Sequence, residues 1–310
     1  MSKLAFPITA SSKPGYVGRF APTPSGPLHF GSLVAALASF LQAKQHQGQW
    51  LLRIEDIDPP REQAGAASMI LHTLEQHGLY WDGEVQYQSQ RTELYEQTLN
   101  WLEQNNHCYH CQCSRKQLRA QGADSSCPCL SLKLTASECS IRFKNRSPVV
   151  GFSDRLLGQV TFEKVHCHGD FLVKRRDGLY AYQLAVVVDD IEQGITEVVR
   201  GADLLQATAY QLALYQAFTQ APPAYLHFPV VVSEPGKKLS KQNHAAAVAN
   251  TNAVRNIVDA LEFLGLLVPL EIHQAGISKL LGWATNEWKN RTVSVKTERI
   301  DNRIGGPDSI

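Results

Sequence analysis

The chain has 310 residues, a length that suits one large domain with an insertion or two to three smaller modules. Apolar residues make up 44% of it and charged residues 19%, which is ordinary for a water-soluble protein with a sizeable core. The net charge of +1 excludes a global nucleic-acid signature, so any contact with RNA has to rest on a local patch of positive charge.

The beginning of the chain predicts no targeting segment. The leader, residues 1–14, is polar and lacks the apolar core of a signal peptide, and no apolar run is long enough to span a bilayer. We therefore expect a cytoplasmic protein whose seven cysteines stay reduced and form no disulfide framework.

Strand and helix patterns alternate through residues 15–106. A short strand pattern at 16–22 precedes an amphipathic helix for which Ser32 is the expected N-cap, and a buried strand pattern follows at 49–58. Two further helix patterns cover 61–78 and 90–106. This alternation predicts an α/β fold with a parallel sheet, of which 15–106 form the first half.

The remaining chain divides into three parts. Residues 107–177 are rich in cysteines, short strand patterns and turns, which predicts an insertion. The α/β pattern returns in 178–245 as the second half of the core. Residues 246–310 are expected to be a helical, stem-like region as far as Trp288, followed by a polar tail.

The entrance to the first helix is unusually rich in glycine and proline, in the stretch GRFAPTPSGPLHFGS from Gly18 to Ser32. The first strand-to-helix turn of a parallel sheet is a common phosphate site, because the helix N-terminus offers free N–H groups and partial positive charge. Gly26 and Gly31 would let a polyanion approach the backbone, and His29 could donate a hydrogen bond to it. The alternative is a proline-stiffened loop with a core histidine.

Two short motifs resemble the signatures of class I aminoacyl-tRNA synthetases. His29-Phe30-Gly31-Ser32 resembles His-Ile-Gly-His, with serine in place of the last histidine, and KLSKQ (238–242) resembles Lys-Met-Ser-Lys-Ser. The resemblance implies a Rossmann-type doubly wound parallel sheet that binds ATP accompanied by Mg²⁺, with His29 and Lys241 as catalytic residues. The ATP-binding residues implied are His29, Gly31, Ser32, Lys238, Ser240 and Lys241. Taken alone, KLSK is more typical of a solvated basic loop.

Four stretches resemble the glutamyl branch of that family, and the resemblance covers about Tyr16 to Gln242: RFAPTPSGPLHFGS, RIEDID, YAYQLAVVVDDI and EVVRGADLL. A glutamate substrate presents two carboxylates and one ammonium, so Arg19 and Arg200 suit the carboxylates and Glu55 suits the ammonium. Tyr182 can bind the side-chain carboxylate. The glutamate-binding set that the resemblance implies is Arg19, Phe20, Ala21, Pro22, Thr23, Glu55, Tyr182 and Arg200.

Two Cys-x-Cys pairs in the insertion predict a structural zinc site, one ion per chain, with ligands Cys111, Cys113, Cys127 and Cys129. The glutamyl family often carries zinc in this insertion, and a family variant with a tyrosine ligand would place that ligand at Ser125. Cys108 and His110 are other nearby candidates for the fourth position. The alternative is a set of reduced cysteines in a turn-rich subdomain.

Only residues 242–310 follow Lys241, whereas a glutamyl-tRNA synthetase continues into anticodon-reading domains. The chain therefore resembles the glutamyl-Q tRNA(Asp) synthetases, a truncated family that activates L-glutamate with ATP and transfers it to the queuosine base in the anticodon of tRNA(Asp). We expect such a ligase, acting as a monomer. Two alternatives remain: a short glutamyl-tRNA synthetase or adenylate-forming relative with another acceptor, and a non-catalytic module that binds an amino acid or tRNA.

Overall fold

The structure is a computed structural model that describes residues 5–8, 15–114, 116–118, 127–132, 134, 138–234, 237–238, 246–293 and 295–300. None of the helices in these ranges is long and apolar enough to cross a membrane.

The first half of the core alternates strands and helices, as the sequence pattern predicts. Its strands are β1 (Val17–Phe20), β2 (Gln49–Ile54) and β3 (Gln86–Tyr87), and its helices are α1 (Phe30–Gln45), α2 (Ala66–Gln76) and α3 (Thr92–Gln104). Both neighbouring strand pairs are parallel. Helix α1 is buried along most of its length because leucines recur on the face that meets the sheet.

The expected N-cap of α1 was wrong. The helix begins at Phe30, and His29 is its N-cap, with extended backbone and a ring nitrogen that accepts from the Ser32 N–H. Ser32 lies inside the first turn. A serine before an apolar run is the commoner cap, but here the imidazole reaches the same third N–H of the helix.

The insertion contributes strands to two sheets. Its elements are β4 (Cys108–Cys111), β5 (Ser140–Phe143), β6 (Gly151–Asp154), β7 (Gly158–Thr161), α4 (Lys164–Cys167) and β8 (Phe171–Lys174). Strands β4, β5 and β8 form an antiparallel sheet. Strand β6 instead pairs with a core strand, so part of the insertion belongs to a core sheet.

The second half of the core begins with α5 (Tyr182–Glu192), β9 (Glu197–Gly201), α6 (Leu205–Phe218) and β10 (Ala224–Phe228). Strand β10 is parallel to both β9 and β6. The two halves meet where β9 lies beside β1, and there the Thr196 N–H donates to Val17 O at 2.9 Å. Successive strands are therefore added on opposite sides of the junction between β1 and β9. This reversal of strand order opens a ligand-binding crevice at the junction.

The last part of the chain is largely helical but ends in a strand. After β11 (Val230–Glu234) and β12 (Lys237–Lys238) come α7 (Ala253–Phe263), α8 (Leu270–His273), α9 (Ile277–Glu287) and β13 (Glu298–Ile300). Strand β13 is parallel to β11. Within the expected polar tail after Trp288, these three residues form a strand because backbone hydrogen bonds to β11 do not require apolar side chains.

Candidate active site

A cavity of about 630 Å³ opens where the two halves of the core meet, at the carboxyl ends of β1, β2 and β9. It is lined by every residue predicted to bind glutamate, together with three of those predicted to bind ATP. These residues are Arg19, Phe20, Ala21, Pro22, Thr23, Glu55, Tyr182 and Arg200, with His29, Gly31 and Ser32. Residues that are far apart in sequence thus share one cavity at the point where an open parallel sheet binds its ligands.

Arg19, at the end of β1, is paired with a carboxylate. Its Nε lies 3.3 Å from Asp190 Oδ1, and both side chains are almost fully buried. Asp190 also accepts a hydrogen bond of 2.6 Å from Arg53. Burial by itself would raise the pKa of Asp190, but the two guanidinium groups outweigh it and hold that pKa below its usual value. Arg19 is thereby fixed in direction and partly neutralised.

Arg200, at the end of β9, is held in a different way. It is 4% exposed, and its three nitrogens donate to neutral acceptors only: His227 Nε2 at 3.0 Å, Tyr182 OH at 3.3 Å, Thr208 Oγ1 at 2.8 Å, Gln211 Oε1 at 2.9 Å and Leu204 O at 3.4 Å. Its guanidinium also lies over the ring of Tyr225. Across the described parts of the chain, no carboxylate forms an ion pair with it. Arg200 therefore presents an oriented positive charge that none of these carboxylates compensates.

Glu55, at the carboxyl end of β2, is a buried acid on the same cavity. Burial raises its pKa to about 7, although Arg53 and Arg19 act in the opposite direction. Its backbone N–H donates to Pro22 O at 3.0 Å, which ties the end of β2 to the loop after β1. A carboxylate desolvated to this extent is stabilised by contact with a cation.

The N-terminus of α1 faces the cavity through its cap. His29 Nδ1 accepts from the Ser32 N–H at 3.3 Å, so in the neutral ring Nε2 carries the proton and donates to Ser32 Oγ at 3.0 Å. Just before the cap, Gly26 adopts a φ of 132°, which only glycine tolerates readily. The mouth of the helix thus combines the backbone N–H groups of its first turn with a histidine whose ring N–H is held by Ser32.

The second signature can be placed only by its flanks. Lys238 lies in β12, whereas Ser240 and Lys241 lie outside the described residues. On the far side of the signature, Ala247 forms a β-bridge with His29, and the Val248 N–H donates to Leu28 O at 2.9 Å. The chain that leaves the second signature is therefore hydrogen-bonded to the first one.

The four predicted zinc ligands form one cluster. Their sulfur atoms all lie within 4.8 Å of one another, with Cys111 and Cys129 3.6 Å from Cys127 and Cys113 respectively, and Cys113 3.7 Å from Cys127. Zinc–sulfur bonds of about 2.3 Å in a tetrahedron place the sulfurs about 3.8 Å apart, so these residues fit the ion. Burial raises the pKa of Cys111 to about 11, and a bound cation would reverse that effect.

The other candidates for the fourth zinc position are placed elsewhere or not described. Cys108 packs in a separate hydrophobic cluster with Trp101 and Phe143. The His110 ring lies 3.4 Å from Glu103 Oε1. Ser125 lies outside the described residues. Among the described residues, Cys127 is thus the one that completes the four.

Several residues of the site have no counterpart in the sequence-based prediction. Asp190 could have been found, because a pair of acids within the apolar pattern AVVVDDI signals a buried ion pair. Four other residues come from three separate elements and carry no shared motif: His227, Thr208 and Gln211, which accept from Arg200, and Asp154, which contacts His227. Arg61 and Asp203 also line the cavity.

A protein family and two known relatives match this chain over most of its length. Residues 16–277 match the family described as tRNA synthetases class I (E and Q), catalytic domain. The chain is 50% identical over 289 residues to the glutamyl-Q tRNA(Asp) synthetase of Vibrio vulnificus strain CMCP6, covering 93% of this chain and 94% of that relative. It is 48% identical over 295 residues to the glutamyl-Q tRNA(Asp) synthetase of Photobacterium profundum, covering 95% of both.

Solved structures agree at the level of the fold. A glutamate tRNA ligase from Elizabethkingia meningosepticum, crystallised in complex with its amino acid, has a TM-score of 0.64 and 26% identity; the match covers 74% of this chain and 52% of that one. This chain thus spans about half the length of that enzyme. The glutamate-tRNA synthetase of Elizabethkingia anophelis has a TM-score of 0.74 and 22% identity, with 93% of this chain and 68% of that one covered. The α/β fold with its parallel strands is that of the class I synthetases, and the chain belongs to the glutamyl-Q tRNA(Asp) synthetase family.

Proposed function

We propose that this protein activates L-glutamate with ATP and transfers the glutamyl group to the queuosine base in the anticodon of tRNA(Asp). The observation that carries the proposal is the cavity in which the uncompensated guanidinium of Arg200 and the desolvated carboxylate of Glu55 lie beside the mouth of α1. Opposite charges of this kind suit an amino acid with an acidic side chain. The assignment of ATP and of the tRNA acceptor as substrates is supported by membership of the family.

Glutamate would bind by pairing each of its charges. Glu55 would take the ammonium group, with the backbone of Ala21 to Thr23 beside it. Arg200 would take the side-chain carboxylate together with Tyr182, whose hydroxyl accepts from Arg200 and so keeps its own proton to donate. Arg19, already paired with Asp190, would hold the α-carboxylate near the entrance of α1.

The reaction would follow from positioning and electrostatics, without a covalent enzyme intermediate. An α-carboxylate oxygen of glutamate attacks the α-phosphorus of ATP, which forms glutamyl-adenylate and releases pyrophosphate. His29, the N–H groups of α1 and the lysines of the second signature, Lys238 and Lys241, would stabilise charge on the phosphates. A hydroxyl of the queuosine cyclopentene diol then attacks the activated carbonyl, losing its proton, and AMP leaves.

Neither metal would form or break a covalent bond in the reaction: one would supply positive charge and the other would stabilise the fold. Mg²⁺ is expected to accompany ATP. When bound by Cys111, Cys113, Cys127 and Cys129, zinc would cross-link the two ends of the cysteine-rich segment and stabilise it. We expect the protein to act as a monomer in the cytoplasm.

The proposal is tested in two steps. Purified protein should catalyse exchange between ATP and labelled pyrophosphate in the presence of glutamate alone, without RNA. Labelled glutamate should then transfer to tRNA(Asp) that carries queuosine, through an ester cleaved by mild alkali. Transfer should weaken steeply with salt, because a loop of RNA is held through its phosphates.

Each alternative gives a distinct result. Label on the terminal adenosine, or equal transfer to tRNA(Asp) without queuosine, would identify a short glutamyl-tRNA synthetase or another acceptor. Absence of glutamate-dependent exchange would instead identify a binding module.

A further inference from the structure

The guanidinium of Arg200 rests on a histidine that is itself held by an acid. His227, in β10, is fully buried, and its Nε2 accepts from Arg200 Nε at 3.0 Å. Its other ring nitrogen, Nδ1, lies 2.7 Å from Asp154 Oδ2. Asp154 stands at the end of β6, where the N–H groups of Leu156 and Leu157 donate to it at 2.9 Å. Three strands thus meet in one hydrogen-bonded chain behind the cavity.

The direction of each hydrogen bond in this chain follows from the groups themselves. A guanidinium can only donate, so His227 Nε2 has to accept and the ring proton has to sit on Nδ1. Nδ1–H then donates to Asp154, which is the one arrangement that satisfies all three side chains. Burial lowers the pKa of His227 to about 4, against the pull of Asp154, so the ring is neutral at physiological pH.

We propose that Asp154 and His227 are positioning residues that orient Arg200 toward the carboxylate of the substrate without neutralising it. This inference rests on the proposed function, because it assigns a role to Arg200 in glutamate binding. A neutral acceptor fixes the guanidinium in space and leaves its charge available, whereas a carboxylate in the same place would compete with the substrate.

The contrast with Arg19 supports this role. Arg19 Nε is held directly by the carboxylate of Asp190, and its charge is shared with the protein. At Arg200 the acid behind the histidine, Asp154, is separated by the width of an imidazole ring, and two further acceptors, Thr208 and Gln211, are uncharged. The buried acid therefore orients a histidine and does not pair with the arginine.

The first experiment compares two replacements of His227 that each keep one of its hydrogen bonds. His227→Gln can accept from Arg200 but cannot donate as the ring does to Asp154, whereas His227→Asn can donate to Asp154 but does not reach Arg200. We expect His227→Asn to raise the KM for glutamate in pyrophosphate exchange by about tenfold or more, with the KM for ATP little changed, and His227→Gln to restore part of the loss.

A matched control is His77→Gln. His77 is also fully buried and hydrogen-bonded, to Thr73 O and to Asn256, but it does not line the cavity. This variant should lose thermal stability without any change in the KM for glutamate. A His227→Asn protein that is folded and has the wild-type KM would overturn the positioning role.

The second experiment adds a charge instead of removing a bond. Gln211→Glu keeps the acceptor on Arg200 Nη2 and supplies the carboxylate partner that Arg200 does not have among the described residues. The KM for glutamate should rise by about tenfold or more at pH 8, while the melting temperature stays the same or rises. An unchanged KM in the folded variant would show that the charge of Arg200 is not reserved for the substrate.

The third measurement does not depend on activity. The ¹⁵N chemical shifts of His227 in the wild-type protein should report a neutral ring protonated on Nδ1 at pH 7. A ring protonated on Nε2, or an imidazolium, would overturn the inference even if the enzyme is active. Absence of glutamate-dependent exchange in the wild-type protein would contradict the proposed function, and the histidine tautomer would still decide whether the hydrogen-bonded chain exists.

Discussion

Arg200 and Arg19 are buried arginines of one cavity, but only Arg200 lacks a protein carboxylate among the described residues. A guanidinium in this state is stabilised most by a ligand that brings a negative charge. Glutamate supplies one on its side chain, and glutamine supplies a neutral amide of the same shape. The difference between the two substrates is therefore expected to be large.

We predict that glutamine supports pyrophosphate exchange with a kcat/KM at least about a hundredfold below that of glutamate, which corresponds to a few kcal/mol. Arg200→Ala should lose most glutamate activation, and Arg200→Lys should recover little, because a point charge cannot replace a fork held by several acceptors. Arg255→Ala, at an exposed arginine of α7, serves as the control. An Arg200→Ala protein that activates glutamate normally would refute the assignment.

Glu55 makes glutamate binding dependent on pH. The substrate ammonium needs an ionised partner, and the pKa of Glu55 is raised to about 7 by burial. The KM for glutamate should therefore rise as pH falls below about 7, by about tenfold for each further unit. Glu55→Gln should raise the KM and remove this dependence between about pH 5.5 and 7, as steady-state exchange kinetics would show.

The raised pKa of Glu55 also determines how the stability of the protein depends on pH. Because the folded-state pKa of Glu55 lies above its usual value of 4.5, the empty protein is least destabilised by Glu55 at low pH and most destabilised above about pH 7. Glu55→Gln should accordingly raise the melting temperature at pH 8 while it impairs binding. A variant that is less stable and retains the wild-type pH profile would contradict the role given to Glu55.

The cysteine-rich element tests the zinc assignment. We predict about one Zn²⁺ per purified chain, measured by elemental analysis. Cys127→Ser should lower both zinc content and melting temperature, because metal binding is coupled to the folding of this segment. Cys108→Ser is the matched control, since this buried cysteine packs in a different cluster and should leave the zinc content unchanged. Wild-type protein that contains no zinc and is as stable after chelator treatment as before it would contradict the zinc assignment.

The chain that follows the second signature is hydrogen-bonded to the first signature through the bridge between Ala247 and His29. This attachment supports a role for Lys241 on the phosphates of ATP, whose charge develops during transfer. We predict that Lys241→Ala lowers the kcat of pyrophosphate exchange by about a hundredfold with little change in glutamate affinity measured by calorimetry. Lys279→Ala, on the exposed face of α9, should behave as wild type. Equal activity of the Lys241→Ala protein would make the signature an ordinary basic loop.

At the level of elements, periodic patterns were the reliable guide. Helices α2 and α3 fall within their predicted segments, and α1 lies where a helix was expected although it begins before Ser32, because the apolar faces repeat every three to four residues. Hydrophobic periodicity did not predict the His29 N-cap of α1 or strand β13. A histidine cap and a strand with exposed residues depend on backbone hydrogen bonds, which leave little trace in hydrophobic pattern.

At the level of the whole molecule, the location of the cavity could be predicted because motifs at the ends of parallel strands converge where the strand order reverses. The support behind Arg200 could not, because Asp154 belongs to a strand of the insertion that joins the core sheet through β10. Sequence order gives no sign of that pairing. Pairing between strands that are far apart in sequence depends on three-dimensional packing. Short sequence motifs therefore could not predict the residues that support Arg200.

The C-terminal region is tied to both halves of the core through Trp288. Its indole N–H donates to Gln42 Oε1 in α1 at 2.7 Å, and Gln42 Nε2 donates to Glu197, at the start of β9, at 2.8 Å. Trp288 is 1% exposed. We therefore expect the helical region and the core to unfold together in one transition.

Trp288→Phe should cost about 1–3 kcal/mol of unfolding free energy, because it leaves the Gln42 carbonyl buried without a donor, and Trp288→Ala about 3–5 kcal/mol through the cavity it creates. Urea denaturation followed by circular dichroism and by pyrophosphate exchange would measure both effects, with the partly buried Trp283→Phe as control. Because Gln42 lies in the helix whose N-terminus faces the cavity, activity and structure should be lost at the same urea concentration. A Trp288→Ala protein whose helical region melts first, while exchange persists unchanged, would show that the C-terminal region is a separate unit that the catalytic core does not need.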